Sequence, residues 1–408
     1  MAGLTACYGS NETKLSRPRM KKVYYIFLTI ALLISGCGKH SPYGVTAVQT
    51  PIELSPSGEW SDLSRGVIDS LDDLTGDGFV AWANWTKDPE DESIFTNDYS
   101  SGVTNLVFGE HGTKVYATDG DGDRLFTPVQ QILDTWYYTP KRYWQRGTYT
   151  FAAALPATAF NASCVKEESD ATGTANITGT LGLDNTLTLT FGQDENERPL
   201  GFDLAANQID LMVAFSGVDN RKEDANVAEL DFHRHHFAQI VIEAASIDEN
   251  ADIIVDEVVF YGNHKATTGP MTFTNEEDGV TATYEIDAAT ATDSENPYMV
   301  ISDINQELPH AVKKADGTWG HTYNPIVTGL LVFPEESVMS IVVRYRTFMG
   351  DNTVTSQPIE ASVTTPAPVT WLEGKKHLYK LQISRYRVNI TSTGVLDWDQ
   401  EEITHTFS

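Results

Sequence analysis

The chain has 408 residues, 57 of them acidic against 28 basic, for a formal charge of −29. So negative a surface repels nucleic acid and anionic lipid surfaces, which excludes both as partners. The 41% hydrophobic and 10% aromatic content is enough for ordinary cores and excludes a disordered chain.

Lys21 and Lys22 open an apolar run from Val23 to Ile34, closed by Ser35-Gly36-Cys37. Such a run is too short to cross ~30 Å of hydrocarbon comfortably. Its basic start, apolar middle and small-residue exit form a secretory signal. Ending on cysteine, it resembles a bacterial lipobox, which implies cleavage before Cys37 and acylation of that residue, a palmitate-type anchor. A buried core helix would carry charges on one face, and this run has none. Residues 1–19 are expected to be upstream sequence before a native start at Met20, with 20–36 the signal peptide and 37–65 a lipidated N-terminal segment. Of the three cysteines, Cys7 lies upstream and Cys37 is taken by lipid. Cys164 is left without a partner for an internal disulfide, so packing and strand pairing must hold the fold. What remains after the signal is long for one core and natural for two domains.

Strands are expected throughout, by alternation and by Gly/Asn/Asp punctuation. In the first, Val48, Thr50, Ile52 and Leu54 share one face, and Pro51 points to an edge position. A polar stretch, Ser55 to Ser64, ends at Arg65-Gly66. Phe79–Trp85 is an aromatic-rich strand, followed by Val103–Phe108, Lys114–Thr118, Tyr149–Leu155, Asn176–Leu183 and Thr186–Phe191. Leu125–Trp136 is the best short-helix candidate, with Val129, Ile132 and Leu133 at helical spacing. Ile209–Phe215 is nearly all apolar and suits a strand inside a sandwich. The charged, turn-rich segment Gly217–Asn226 marks a domain boundary.

A long strand is expected next, with Leu230, Phe232, His236, Ala238, Ile240 and Ile242 on one face, interrupted only by Arg234. Ile253–Tyr261, Val280–Ile286 and Tyr298–Ile301 are further short strands. Val327–Phe333 and Val338–Phe348 read as two strands joined by a tight turn at Pro334. Near the end, the apolar parity switches at Ser384-Arg385, the sign of a bulge or of a strand that changes sheets. Many short strands and no long amphipathic helix point to an all-β chain with a β-sandwich in each half, 66–217 and 218–408.

The candidate chemistry is sparse. Asp119, Asp121 and Asp123 have the spacing of a calcium loop, but Arg124 and Gln130 stand where that loop needs Gly and Glu. A turn accounts for them better. On a continuous strand His233 and His235 point one way and His236 the other, so at most two converge, with Asp231 a further ligand; solvated histidines are the plainer reading. Asp397 and Asp399 flank Trp398 in the manner of a glycosidase carboxylate pair, though a solvated strand end explains them better. No G-x-S-x-G, H-E-x-x-H or G-x-x-x-x-G-K-[ST] occurs in the chain. No enzyme, cofactor or metal is expected. Trp136, Tyr138 and Trp144 lie in the densest aromatic run, which serves either as a glycan-stacking platform or as core.

The pieces RGVIDSL from Arg65, FVAW from Phe79, WYYTPKRYW from Trp136, IDLMVA from Ile209, LDFHRHHFAQI from Leu230, LLVFP from Leu330 and the tail from Trp371 to Trp398, taken in order behind the lipobox at Cys37, resemble the fimbrillin family of pilus subunits. The resemblance implies two tandem transthyretin-like β-sandwiches and a lipoprotein precursor carried to the outer membrane and displayed on the cell surface. It further implies cleavage between Arg65 and Gly66, departure of the strand carrying Val48, Thr50, Ile52 and Leu54, and filling of the vacated groove by a neighbour's carboxy-terminal strand. Tyr386, Val388, Ile390 and Trp398 mark the donor tail. Partners would be other fimbrillin subunits and, in adhesion, a host or bacterial glycan or protein. An isolated glycan-binding surface lipoprotein is the alternative.

Overall fold

The computed structural model describes residues 50–57, 78–89, 104–118, 135–138, 141–162, 176–193 and 199–398, apart from 223, 226, 233, 278, 294, 350–352 and 355–356. Cys37, Val48, Arg65, Gly66, Asp119–Asp123, Leu125–Leu133, His233 and Asp399 therefore lie outside the described residues. Among the described residues no helix is long and apolar enough to cross a membrane.

The first half is organised on a sheet ordered β10-β6-β2-β4-β5, with β3 also on β2. Its strands are β2 (Phe79–Lys87), β3 (Thr104–Leu106), β4 (Thr113–Thr118), β5 (Thr135–Tyr137), β6 (Gly147–Leu155) and β10 (Met212–Asp219). The run FVAWANW of β2 is apolar on both parities because both faces of this sheet are covered. Phe79, Ala81 and Ala83 join one core with Phe151, Ala153 and Met212, whereas Val80 and Trp82 join another with Ala152, Ala154 and Val213.

The second of these cores is closed by a sheet ordered β15-β14-β8-β7, with β9 (Pro199–Leu200) on β8. Here β7 (Ile177–Leu181) and β8 (Thr186–Gln193) come from the first half, while β14 (Met271–Glu276) and β15 (Gly279–Thr283) come from the second. Met271 pairs with Leu189 and Phe273 with Leu187, and all four side chains are fully buried. One sheet thus crosses the boundary expected between 217 and 218. Gly179 in β7 lets the sheets approach: a Cβ there would sit 2.2 Å from the Trp82 ring, whose Nε1 donates to the Gly179 carbonyl at 3.0 Å.

A second sandwich lies in the carboxy-terminal half. One sheet is ordered β20-β12-β26-β27, with β12 (Ala238–Ser246), β20 (Asn324–Val332), β26 (Lys375–Ser384) and β27 (Arg387–Asp397). The other runs β16-β13-β22-β23, with β17 also on β13 and β24 on β22. Its strands are β13 (Ala251–Tyr261), β16 (Met299–Ile301), β17 (Gln306–Leu308), β22 (Ser340–Met349), β23 (Thr353–Val354) and β24 (Ile359–Thr364). Ile240, Ile242, Tyr379 and Leu381 of the first sheet meet Val255, Phe260, Val343 and Tyr345 of the second in one core. Two small ribbons also occur in this half, β18 (Val312–Lys313) with β19 (Trp319–Gly320) and β21 (Glu336–Ser337) with β25 (Val369–Thr370).

The chain is all-β and sandwich-built, and its details correct four expectations. Thr135–Tyr137, the end of the candidate helix, is strand β5. The long strand expected from Leu230 is two strands in different sheets, β11 (Val227–Asp231) and β12, separated by Phe232–Phe237. Val327–Phe333 and Val338–Phe348 fall in β20 and β22, which belong to opposite sheets instead of one hairpin. The parity switch at Ser384-Arg385 is neither bulge nor crossover. It is the turn of the antiparallel β26–β27 hairpin, in which Ser384 pairs with Arg387.

Candidate functional site

The core on the outer face of the β10-β6-β2 sheet is roofed by a ribbon of two parallel strands, β1 (Glu53–Ser57) and β11. Leu54 registers with Ala228 and Pro56 with Leu230. Alternation from Ile52 to Ser57 buries Ile52, Leu54 and Pro56 and leaves Glu53, Ser55 and Ser57 exposed, whereas Thr50, expected on the buried face, is exposed. Ile52 and Leu54, at 2% and 4% exposure, pack into the core that holds Phe79, Val115, Phe151, Leu230 and Phe232.

Main-chain bonds hold the segment on both sides. The Ile52 N–H donates to the Arg142 carbonyl, the Trp144 N–H donates to the Thr50 carbonyl, each at 2.9 Å, and Pro51 bridges Tyr143. On the other side the Ser57 carbonyl accepts from the Phe232 N–H at 2.7 Å. The strand marked from sequence is thus displaced: regular pairing starts at Glu53, and its partner is β11.

Tyr138 clamps this strand. Its hydroxyl donates to the Ile52 carbonyl at 2.8 Å and lies 3.4 Å from the Arg142 N–H that donates to it. Burial pushes the phenol up to about 12, so it stays a donor at any physiological pH. Trp144 is also interior, edge-on to Tyr149 at 4.8 Å. Trp136 is half-buried and packs on Phe79 at 5.2 Å. The three rings therefore do not form an exposed sugar platform. They are spent on the core and on seating β1, as aromatics with one polar atom commonly are.

The tail residues are built into their own subunit. Tyr386, at the hairpin turn, is 86% exposed, whereas Val388 is buried at 4%, Ile390 is half-buried and Trp398 is buried at 3%. Trp398 packs not in the second sandwich but with the Val80–Trp82 core of the first half. Asp397, half of the spaced carboxylate pair, is ion-paired with Lys375.

The histidines diverge. His235 Nδ1 bonds Asp210 at 2.7 Å and its ring stacks on Trp398, 4.1 Å away and 9° from parallel. His236 Nδ1 bonds Glu373 at 2.8 Å. Burial holds His236 below the usual imidazole range and pushes His377 down to about 4, where His377 Nε2 accepts the Leu372 N–H at 3.0 Å.

Both histidines thus stay neutral in the fold where the unfolded chain protonates, below about pH 6.5. Stability is expected to fall as pH drops from about 6.5 to about 4, with His377 contributing roughly 3 kcal/mol over that window. Denaturant unfolding of the wild type against His377→Gln at pH 7 and 4.5 checks this: the variant should lose less on acidification. An equal loss in both proteins would remove His377 from the account.

No family model matches the chain, and no curated protein does. Several solved structures are similar to it. A fimbrial protein from Bacteroides vulgatus matches at 15% identity and TM-score 0.45 over 86% of this chain and 99% of that one. A candidate cell adhesion protein from Bacteroides ovatus matches at 15% and 0.37, over 87% and 100%. A third, from Bacteroides uniformis and described in the same way, matches at 16% and 0.30, over 86% and 99%.

Sequence reasoning ran β11 into β12 as one strand and missed the roles of Asp210 and Glu373. An apolar alternation at Ala228, Leu230 and Phe232 was available as a signal for the first, but nothing in sequence announces its pairing partner.

Proposed function

We propose that this chain is a fimbrillin-type structural subunit of a surface pilus involved in cell adhesion, activated when a protease removes the segment carrying β1. The supporting observation is the seat of β1. The strand meets the rest of the subunit through main-chain bonds on both edges and an alternating apolar face of Ile52, Leu54 and Pro56. Its departure would leave β11 unpaired and a trench in the core beneath. Each refilled side chain is worth about 1.5–3 kcal/mol, and a donated strand restores the ladder as well. An unfilled edge of this kind associates with whatever strand can complete it.

Cleavage after Arg65, acylation at Cys37 and outer-membrane delivery complete the proposal, with other subunits of the same kind as partners. The donor is a neighbour's carboxy-terminal segment. Because Val388 and Trp398 are buried in their own subunit, donation of β27 would require it to leave its own fold first.

Treating the mature protein with a trypsin-like protease, beside an Arg65→Ala control, should convert monomer to head-to-tail oligomers only where Arg65 is present. Size exclusion and electron microscopy read this directly. Monomers in both samples, with a second subunit supplied, would sink strand exchange.

A further inference from the structure

Strand β11, the partner of β1, continues directly into the segment Phe232–Phe237, and that segment holds the base of the carboxy-terminal hairpin. The base is where β26 begins and β27 ends, since Lys375 registers with Asp397. At its start, Glu373 receives His236 Nδ1 at 2.8 Å and Arg234 Nη2 at 3.3 Å. The Gly374 N–H donates to the Phe237 carbonyl at 3.0 Å. At its end, Trp398 lies flat on His235. Gly374 is suited to this closeness: it sits at φ +64°, and a Cβ would come within 3.2 Å of the His235 carbonyl oxygen.

The same segment reaches the N-terminal strand. The Phe232 N–H donates to Ser57, and Leu230 and Phe232 share a core with Ile52 and Leu54. Among the described residues, β1 is the one strand that β11 pairs with. The clasp itself is costly. His236 Nε2, Asp210 Oδ1 and Trp398 Nε1 are buried and have no hydrogen-bond partner among the described residues. Orphaned buried polar atoms raise the free energy of the closed state, so the junction is held less firmly than its burial alone would give.

We infer that residues 227–237 couple the two ends of the subunit, so that a seated β1 keeps the base of the β26–β27 hairpin closed and loss of β1 loosens it. The inference rests on the reading that β1 leaves on processing, and it supplies that reading with an order of events. The carboxy-terminal segment stays on its own subunit until the N-terminal strand has gone, which would restrain premature assembly. Coupling of this kind is reciprocal by thermodynamic necessity.

Hydrogen exchange on the intact, uncleaved monomer tests it without any protease or assembly step. Leu54→Asp, which unseats β1, should speed exchange at 373–377 and 396–398 by about tenfold, a typical coupling, while β6 keeps its protection. In the other direction, Glu373→Gln should speed exchange at 53–57 by a similar factor. Glu373 is partly exposed, so this variant reads the coupling even if Leu54→Asp unfolds the whole chain. If either element opens while the other keeps its wild-type exchange, the two are independent and the inference is wrong. Failure of cleaved protein to polymerise would sink strand exchange yet leave this result standing.

Discussion

Leu54→Asp is expected to detach the N-terminal strand while the rest of the fold survives. Leu54 is 4% exposed and faces the core of Phe79, Phe151 and Leu230. The substitution forfeits about 1.5–3 kcal/mol of apolar burial and asks a carboxylate to sit among apolar side chains, a further cost of several kcal/mol. The chain has a cheaper escape, which is to let β1 swing out. The measured loss is therefore capped by the free energy of seating the strand. Hydrogen exchange should show 50–57 unprotected and 147–155 still protected, with a lowered denaturant midpoint. Ser55→Asp, one residue away on the exposed face, should change neither by more than about 0.5 kcal/mol. Equal effects from the two substitutions would mean that β1 does not face the core.

The contrast between Leu54 and Ser55 was legible in sequence because period-two alternation survives any choice of partner strand. The same logic explains what was missed. The apolar parity that starts at Leu230 is interrupted only at Arg234, which is exposed, and it resumes at His236 although the chain leaves one sheet and enters another across Phe232–Phe237. Alternation reports which face is buried and is silent on which sheet. At Ser384–Arg387 the opposite happened: the hairpin turn contains no Gly, Pro or Asn, so the change of parity showed and its cause did not.

The aromatic run from Trp136 was left open between platform and core for a different reason. Composition cannot separate a stacking platform from a core, and only the long-range pairing of Tyr138 with Ile52 decides it. The histidine pair likewise carried no sequence sign of its partners. Asp210 lies 25 residues from His235, and Glu373 lies 137 from His236. Contacts at such separations are set by topology, which local pattern does not encode.

Topology also governs what happens when the chain is cut between its halves. A fragment comprising residues 218–408 carries the whole second sandwich, β12 to β27, and composition alone would favour its independent folding. The sheet that crosses the boundary argues otherwise. In the fragment β14 loses its ladder to β8, four register pairs from Met271–Leu189 to Thr274–Thr186. Met271, Phe273, Phe237, Phe333 and Trp398, all buried in the first-half core, become exposed. At about 1.5–3 kcal/mol per side chain the loss matches or exceeds the ~5–15 kcal/mol that holds a typical domain together. The open edge of β14 adds a site for association. The fragment should be insoluble or molten, and should recover protection at 271–276 when residues 66–217 are supplied in trans. Soluble, monomeric fragment with native-like exchange in β14 would show that the crossing sheet is dispensable and that the halves fold as separate domains.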